Sequence, residues 1–155
     1  MTVSRGGLPA DWALPAITPF NRPWFTSGAL TVQQCATCGA LQHPPEEICH
    51  QCGGMTFAER VLAPAGTVHS YTIAHHSANP RLDGVVPYAV VLVALDEAPQ
   101  VRVVGNLVDV PVEEVAIGMP VTATWEELGS DDGETVLLPL WQRARAAGNE
   151  RDEED

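Results

Sequence analysis

Cys35-Ala-Thr-Cys38-Gly39 and Cys49-His-Gln-Cys52-Gly53 decide how this chain is organised. They form two C-x2-C pairs with ten residues between them. Two residues between cysteines let both sulfurs turn toward one point, while amides of the turn donate to the thiolates. The glycine after each pair supplies the positive φ that such a knuckle needs. Four thiolates in tetrahedral array fill the coordination sphere of Zn²⁺ and leave no open position, so the expected role is structural rather than catalytic. His43 lies between the pairs and His50 inside the second. With four thiols in register, both histidines are read as bystanders. The same donors also suit a single iron, which remains the alternative metal. Disulfides belong to secreted chains. The N-terminal Met1-Thr-Val-Ser-Arg-Gly-Gly7 has no apolar core of a signal peptide.

Working outward, residues 1–29 are read as an N-terminal arm, irregular at least through residue 23, with Pro9, Pro15, Pro19 and Pro23. Trp24 and Phe25 lead into the ribbon. They either pack on it or anchor a partner, since aromatics are favoured at interface hot spots. Residues 30–57 are read as a rubredoxin-like zinc ribbon. From Gly66 the pattern is that of strands. Thr67–His75 is β-branched and aromatic, and Tyr88–Leu95 is a continuous apolar run expected to be buried on both faces. Val101–Val108 alternates, Pro111–Gly118 has room for a helical turn, and Val121–Glu126 and Thr135–Trp141 complete the set. Five strands with a short helix between the third and fourth predict an OB-fold barrel over residues 58–142. An acidic tail, 143–155, closes the chain. The fold class is therefore mainly β: arm, zinc ribbon, five-stranded OB-fold barrel.

Charge narrows the partners. Twenty Asp and Glu face eight bases, all of them Arg, for a net charge of −12. The last six residues carry −4, so residues 1–149 still carry −8. Polyanions are repelled at long range, so neither nucleic acid nor an anionic membrane is an expected partner. No apolar run reaches the roughly 18 residues of a membrane span. A soluble, cytoplasmic protein is expected.

The order of motifs carries a resemblance. Cys-Ala-Thr-Cys-Gly39, Pro44-Pro45, Cys-His-Gln-Cys-Gly53, a Gly-Thr-Val68 strand, Val-Pro-Tyr88, and Ile-Gly-Met-Pro-Val121 resemble the zinc-ribbon and OB-fold acyl-CoA-associated family, domain of unknown function 35. The resemblance spans roughly residues 20–142. It implies an accessory subunit of a thiolase-superfamily enzyme, such as a lipid-transfer-protein-like thiolase or a steroid side-chain aldolase. The carbon–carbon chemistry would then lie on that partner. It also implies association with MaoC-type hydratases and a CoA thioester as a possible ligand. Because thiolase-like enzymes are commonly dimers, symmetry points to a two-plus-two heterotetramer. Steroid or other lipid side-chain degradation is the expected context.

The chain offers little chemistry of its own. It has no G-x-S-x-G, no P-loop, no lysine, and no cysteine left over once the metal is bound. No catalytic residue is expected, although a co-catalytic role stays open. His75, His76 and Arg81, in the loop after the first barrel strand, form the one polar cluster placed where OB-folds often take ligands. They are the candidates for a CoA phosphate or a partner contact, against the plainer reading of a solvated loop. A second function class is a single-stranded nucleic-acid binder, which would need a basic groove with exposed aromatic platforms.

Overall fold

The structure is a computed structural model that describes residues 5–9, 11–129 and 133–146. The acidic tail from residue 147 and the centre of the Gly129–Gly133 turn lie outside them.

A short helix, α1 (Arg22–Thr26), opens the ordered core with Pro23 in its first turn, where a missing N–H costs nothing. Strands β1 (Leu30–Cys35), β2 (Leu41–Gln42) and β3 (Phe57–Leu62) form an antiparallel sheet in the order β2-β1-β3. β1 ends in the first knuckle and β3 emerges from the second, so one small sheet fixes both ends of the cysteine frame. β3 then passes through Ala63 and Pro64 into the barrel.

The barrel comprises β4 (Ala65–Ala74), β5 (Tyr88–Leu95), β6 (Arg102–Leu107), β7 (Pro120–Gly129) and β8 (Thr135–Arg143). It is closed in the order β4-β5-β6-β8-β7. All pairings are antiparallel except β6 with β8, which meet in parallel at Leu107 and Trp141. A single 3-10 turn, Val112–Glu114, lies between β6 and β7, where the sequence predicts the helical segment. This is the expected OB-fold.

β5 departs from expectation. Its burial alternates: Ala89, Val91, Val93 and Leu95 face the core, while Tyr88, Val90, Leu92 and Ala94 are only partly covered. The apolar run is therefore not sandwiched between two layers. It has one core face and one outer face, as a barrel strand must.

Two glycines are required by close approach. A Cβ on Gly66 would stand 2.4 Å from Val93 Cγ1 and 2.6 Å from the Ala94 carbonyl oxygen. One on Gly105 would stand 2.9 Å from Trp141 Cδ1. Trp141 is fully buried against Gly105, where the barrel closes.

The arm is less free than its composition suggests. The Arg5 guanidinium pairs with Asp109 and donates to Gln142 Oε1 at 3.0 Å, and the Gly6 amide donates to Glu126 Oε2 at 3.1 Å. Further along, Arg22 pairs with Glu134. These contacts join residues more than a hundred positions apart and hold the arm across the barrel.

Candidate metal centre

The two knuckles are near copies of each other. In the first, Cys35 N donates to Ala40 O at 2.9 Å and Gly39 N donates to Cys35 O at 2.9 Å. In the second, Cys49 N donates to Gly54 O at 2.8 Å and Gly53 N donates to Cys49 O at 2.9 Å. Gly39 and Gly53 take φ of 75° and 73°, the left-handed conformation expected of them. The repeat in sequence is thus a repeat in backbone geometry.

This geometry gathers the sulfurs. The Sγ atoms of Cys35, Cys38, Cys49 and Cys52 all lie within 4.8 Å of one another. Cys35 to Cys52 is 3.5 Å and Cys38 to Cys49 is 3.7 Å. A tetrahedron with Zn–S bonds of about 2.3 Å sets sulfurs about 3.8 Å apart, so the residues fit the ion. Amides are aimed at the sulfurs. Gln51 N donates to Cys49 Sγ and Gly54 N to Cys52 Sγ, each at 3.4 Å. The Cys38 and Thr37 amides hold the Cys35 thiol down to about 6. Cys52 is pushed up to about 12: the Gly54 amide favours its thiolate, but sharing one small site with Cys35, Cys38 and Cys49 outweighs that. Such mutual repulsion is what a dication between four thiolates removes. Cys35 and Cys49 are buried, Cys38 and Cys52 exposed.

Neither histidine belongs to the cluster. His43 packs under α1, its ring centroid 4.1 Å from that of Trp24. Trp24 is therefore a core residue that fastens the arm to the ribbon. Phe25 is also packed against the core. His43 Nδ1 is buried without a hydrogen-bond partner, and burial pushes the imidazole pKa down to about 4. In the unfolded chain the group titrates near 6.5. Between those values the unfolded state binds a proton that the folded state refuses. The stability present above pH 6.5 is therefore lost as pH falls toward 4, by up to about 3 kcal/mol. Urea titrations at pH 7 and pH 5 should show this slope reduced in His43→Phe. An unchanged slope would show that His43 does not carry the acid sensitivity.

Sequence reasoning missed two buried glutamines. Gln33 Nε2 donates to Glu46 O at 2.8 Å, and its Oε1 accepts from Glu46 N at 2.9 Å. Gln42 Nε2 donates to Ile48 O at 3.1 Å, and its Oε1 accepts from His50 N at 2.9 Å. Together they hold the 44–50 loop, which joins the knuckles, against β1 and β2. Their only trace in sequence is a polar residue on a strand of a small sheet, which does not set them apart.

The loop candidates lie apart from the metal centre. His75 and His76 follow β4 and are exposed. Arg81 sits in a 3-10 turn, Pro80–Leu82, where its guanidinium pairs with Asp11 and lies 5.5 Å from the centroid of Trp12. The structure thus ties Arg81 to the arm.

The comparisons with known proteins follow the same two-part division. Residues 26–57 match the family model described as the rubredoxin-like zinc ribbon domain of ChsH2. Residues 59–126 match the C-terminal OB-fold domain of ChsH2. A solved structure titled Ltp2-ChsH2(DUF35) aldolase is similar to 84% of this chain and 98% of its own, with 36% identity and a TM-score of 0.69. The chain belongs to the ChsH2/DUF35 family. A DUF35 domain-containing scaffold protein of Methanocaldococcus jannaschii is 32% identical over 67% of this chain and 72% of its own length. A probable enoyl-CoA hydratase alpha subunit of Thermomonospora curvata is 40% identical over 84% of this chain. A 3-oxo-4,17-pregnadiene-20-carboxyl-CoA hydratase alpha subunit of Mycobacterium tuberculosis is 38% identical over 62% of this chain. This DUF35 chain spans only 39% and 29% of the lengths of those two hydratase subunits. The match to a zinc-ribbon model and the gathering of four cysteine sulfurs support zinc as the ion this site would hold. Among the described residues, no helix is long and apolar enough to cross a membrane.

Proposed function

We propose that this DUF35 chain is the accessory subunit of a thiolase-fold enzyme that cleaves or forms a carbon–carbon bond in an acyl-CoA. The observation that carries the reading is its likeness, over nearly the whole of the compared chain, to the DUF35 component of the Ltp2-ChsH2(DUF35) aldolase. The zinc ribbon stiffens one end and the barrel presents a rigid face, while the reacting groups belong to the partner. The name of the mycobacterial relative favours a steroid carboxyl-CoA or a similar polycyclic substrate. The hydratase names of two relatives favour a MaoC-type hydratase as a further associate. A heterotetramer of two such chains on a dimeric enzyme satisfies symmetry, and a four-thiolate metal site suits the reducing cytoplasm.

Co-purification with the tagged chain from its native host is the test. A stoichiometric thiolase-like subunit is the expected result; recovery of RNA or single-stranded DNA in its place would overturn the reading.

Within this proposal, His75, His76 and Arg81 face the acyl-CoA or the partner's substrate channel. A CoA phosphate would compete with Asp11 for the Arg81 guanidinium, and charge-assisted pairing to phosphate suits arginine. Arg81→Ala is expected to lower acyl-CoA turnover of the complex several-fold, whereas Asp11→Ala, which frees the guanidinium, should not. Equal kinetics for wild type and Arg81→Ala would return the loop to a purely structural role.

A further inference from the structure

We infer that the groove between the arm and the zinc ribbon is the docking site for a basic, apolar-anchored peptide segment of the partner enzyme. The inference rests on the accessory-subunit reading and names the surface and the chemistry of the contact.

Two adjoining clefts of about 260 and 380 Å³ share Phe20 and Pro45 as a common wall. Apolar groups line them: Pro23 and Phe57 in one, Ile48 in the other. Ile48 remains 52% exposed, although it stands on the loop that Gln33 and Gln42 hold in place. Val61, on the same face of β3 as the groove-lining Glu59, is 62% exposed and extends the apolar track. These side chains are thus uncovered on a rigid support. A pre-formed surface of this kind adds no ordering cost of its own to binding.

Charge selects the occupant. Glu46, Glu47 and Glu59 border the groove. Arg22, on the neighbouring helix, is already paired with Glu134, and Arg60 projects from the opposite face of β3. The His50 ring lies 4.0 Å from the Glu46 carboxylate. Three carboxylates around an apolar floor repel the phosphates of CoA, so the groove is not a CoA site. They attract lysine or arginine flanking an apolar anchor, and opposed charges of this kind select the partner and speed its association.

The experiment uses the full chain and the thiolase-like subunit that co-purifies with it. Dissociation constants are measured by calorimetry at two salt concentrations. The triple variant E46K/E47K/E59K should bind at least about tenfold more weakly, with a reduced salt dependence. A photo-cross-linker at position 48 should label a Lys/Arg-containing segment of the subunit. Wild-type affinity and salt slope in the triple variant, or a cross-link to an acidic or neutral segment, would overturn the groove assignment while leaving the accessory role standing. A wild-type chain that binds no such subunit would remove both.

Discussion

Replacing Cys35 by serine is expected to empty the metal centre and unfold the ribbon while the barrel stays folded. Cys35 is buried at the end of β1, accepts hydrogen bonds from the Cys38 and Thr37 amides, and sits 3.5 Å from Cys52 Sγ. Serine is nearly isosteric but offers no thiolate. The ribbon sheet has few residues of its own in the core, Leu30, Val32 and Leu62 among them. In small zinc modules the metal supplies about 10–16 kcal/mol at neutral pH, which is folding free energy outright. Affinity should therefore fall by more than the roughly 10–100-fold that loss of a mere supporting contact costs. Metal analysis should fall from one zinc per chain toward none. Amides of β1 to β3 should lose exchange protection, whereas those of β5 and β7 should keep theirs. Chelation of the wild type should reproduce the same state. A fully loaded, equally stable variant would refute the assignment, and a stoichiometric iron in the wild type would replace zinc with the rubredoxin alternative.

The second large effect lies at the barrel closure. Trp141→Ala is expected to cost roughly 3–5 kcal/mol, the usual range for removing a buried large aromatic. Trp141 is fully buried, opposes Ala123 on β7 and Leu107 on β6, and accepts from Val108 N at 2.8 Å through its carbonyl. Deleting its ring leaves a cavity where β6, β7 and β8 converge. Because Trp141 Nε1 is buried without a partner, the truncation also removes an unsatisfied donor, which moderates the loss. Gly105 supplies a specific control. Gly105→Ala alone pushes a methyl against the indole and should destabilise; in the Trp141→Ala background the same methyl enters vacated space and should cost less. Urea unfolding followed by circular dichroism measures both. A loss below about 1 kcal/mol for Trp141→Ala, or strict additivity with Gly105→Ala, would show that the indole does not hold the closure.

The sequence by itself determined what depends on short spacing. Two residues between cysteines and a glycine after each pair dictate a knuckle, and two knuckles dictate four converging sulfurs. Strand periodicity and the Pro111–Gly118 segment were enough for a five-stranded barrel and its inserted turn, because alternation and turn chemistry are local properties. Tertiary structure alone decided the pairings of residues far apart in the chain. Arg81 reads as a free cation in a loop, yet Asp11, seventy positions away, claims it. Tyr88–Leu95 reads as doubly buried because an apolar run does not reveal which of its faces a closed sheet leaves outside. Gln33 and Gln42 carry no signal in the sequence that sets them apart, yet folding buries them as the clamps of the inter-knuckle loop. In these cases the deciding contact is made by the arm laid across the barrel, by barrel closure or by the ribbon sheet. The sequence marks the partner in such a contact only as a polar or apolar residue somewhere else along the chain.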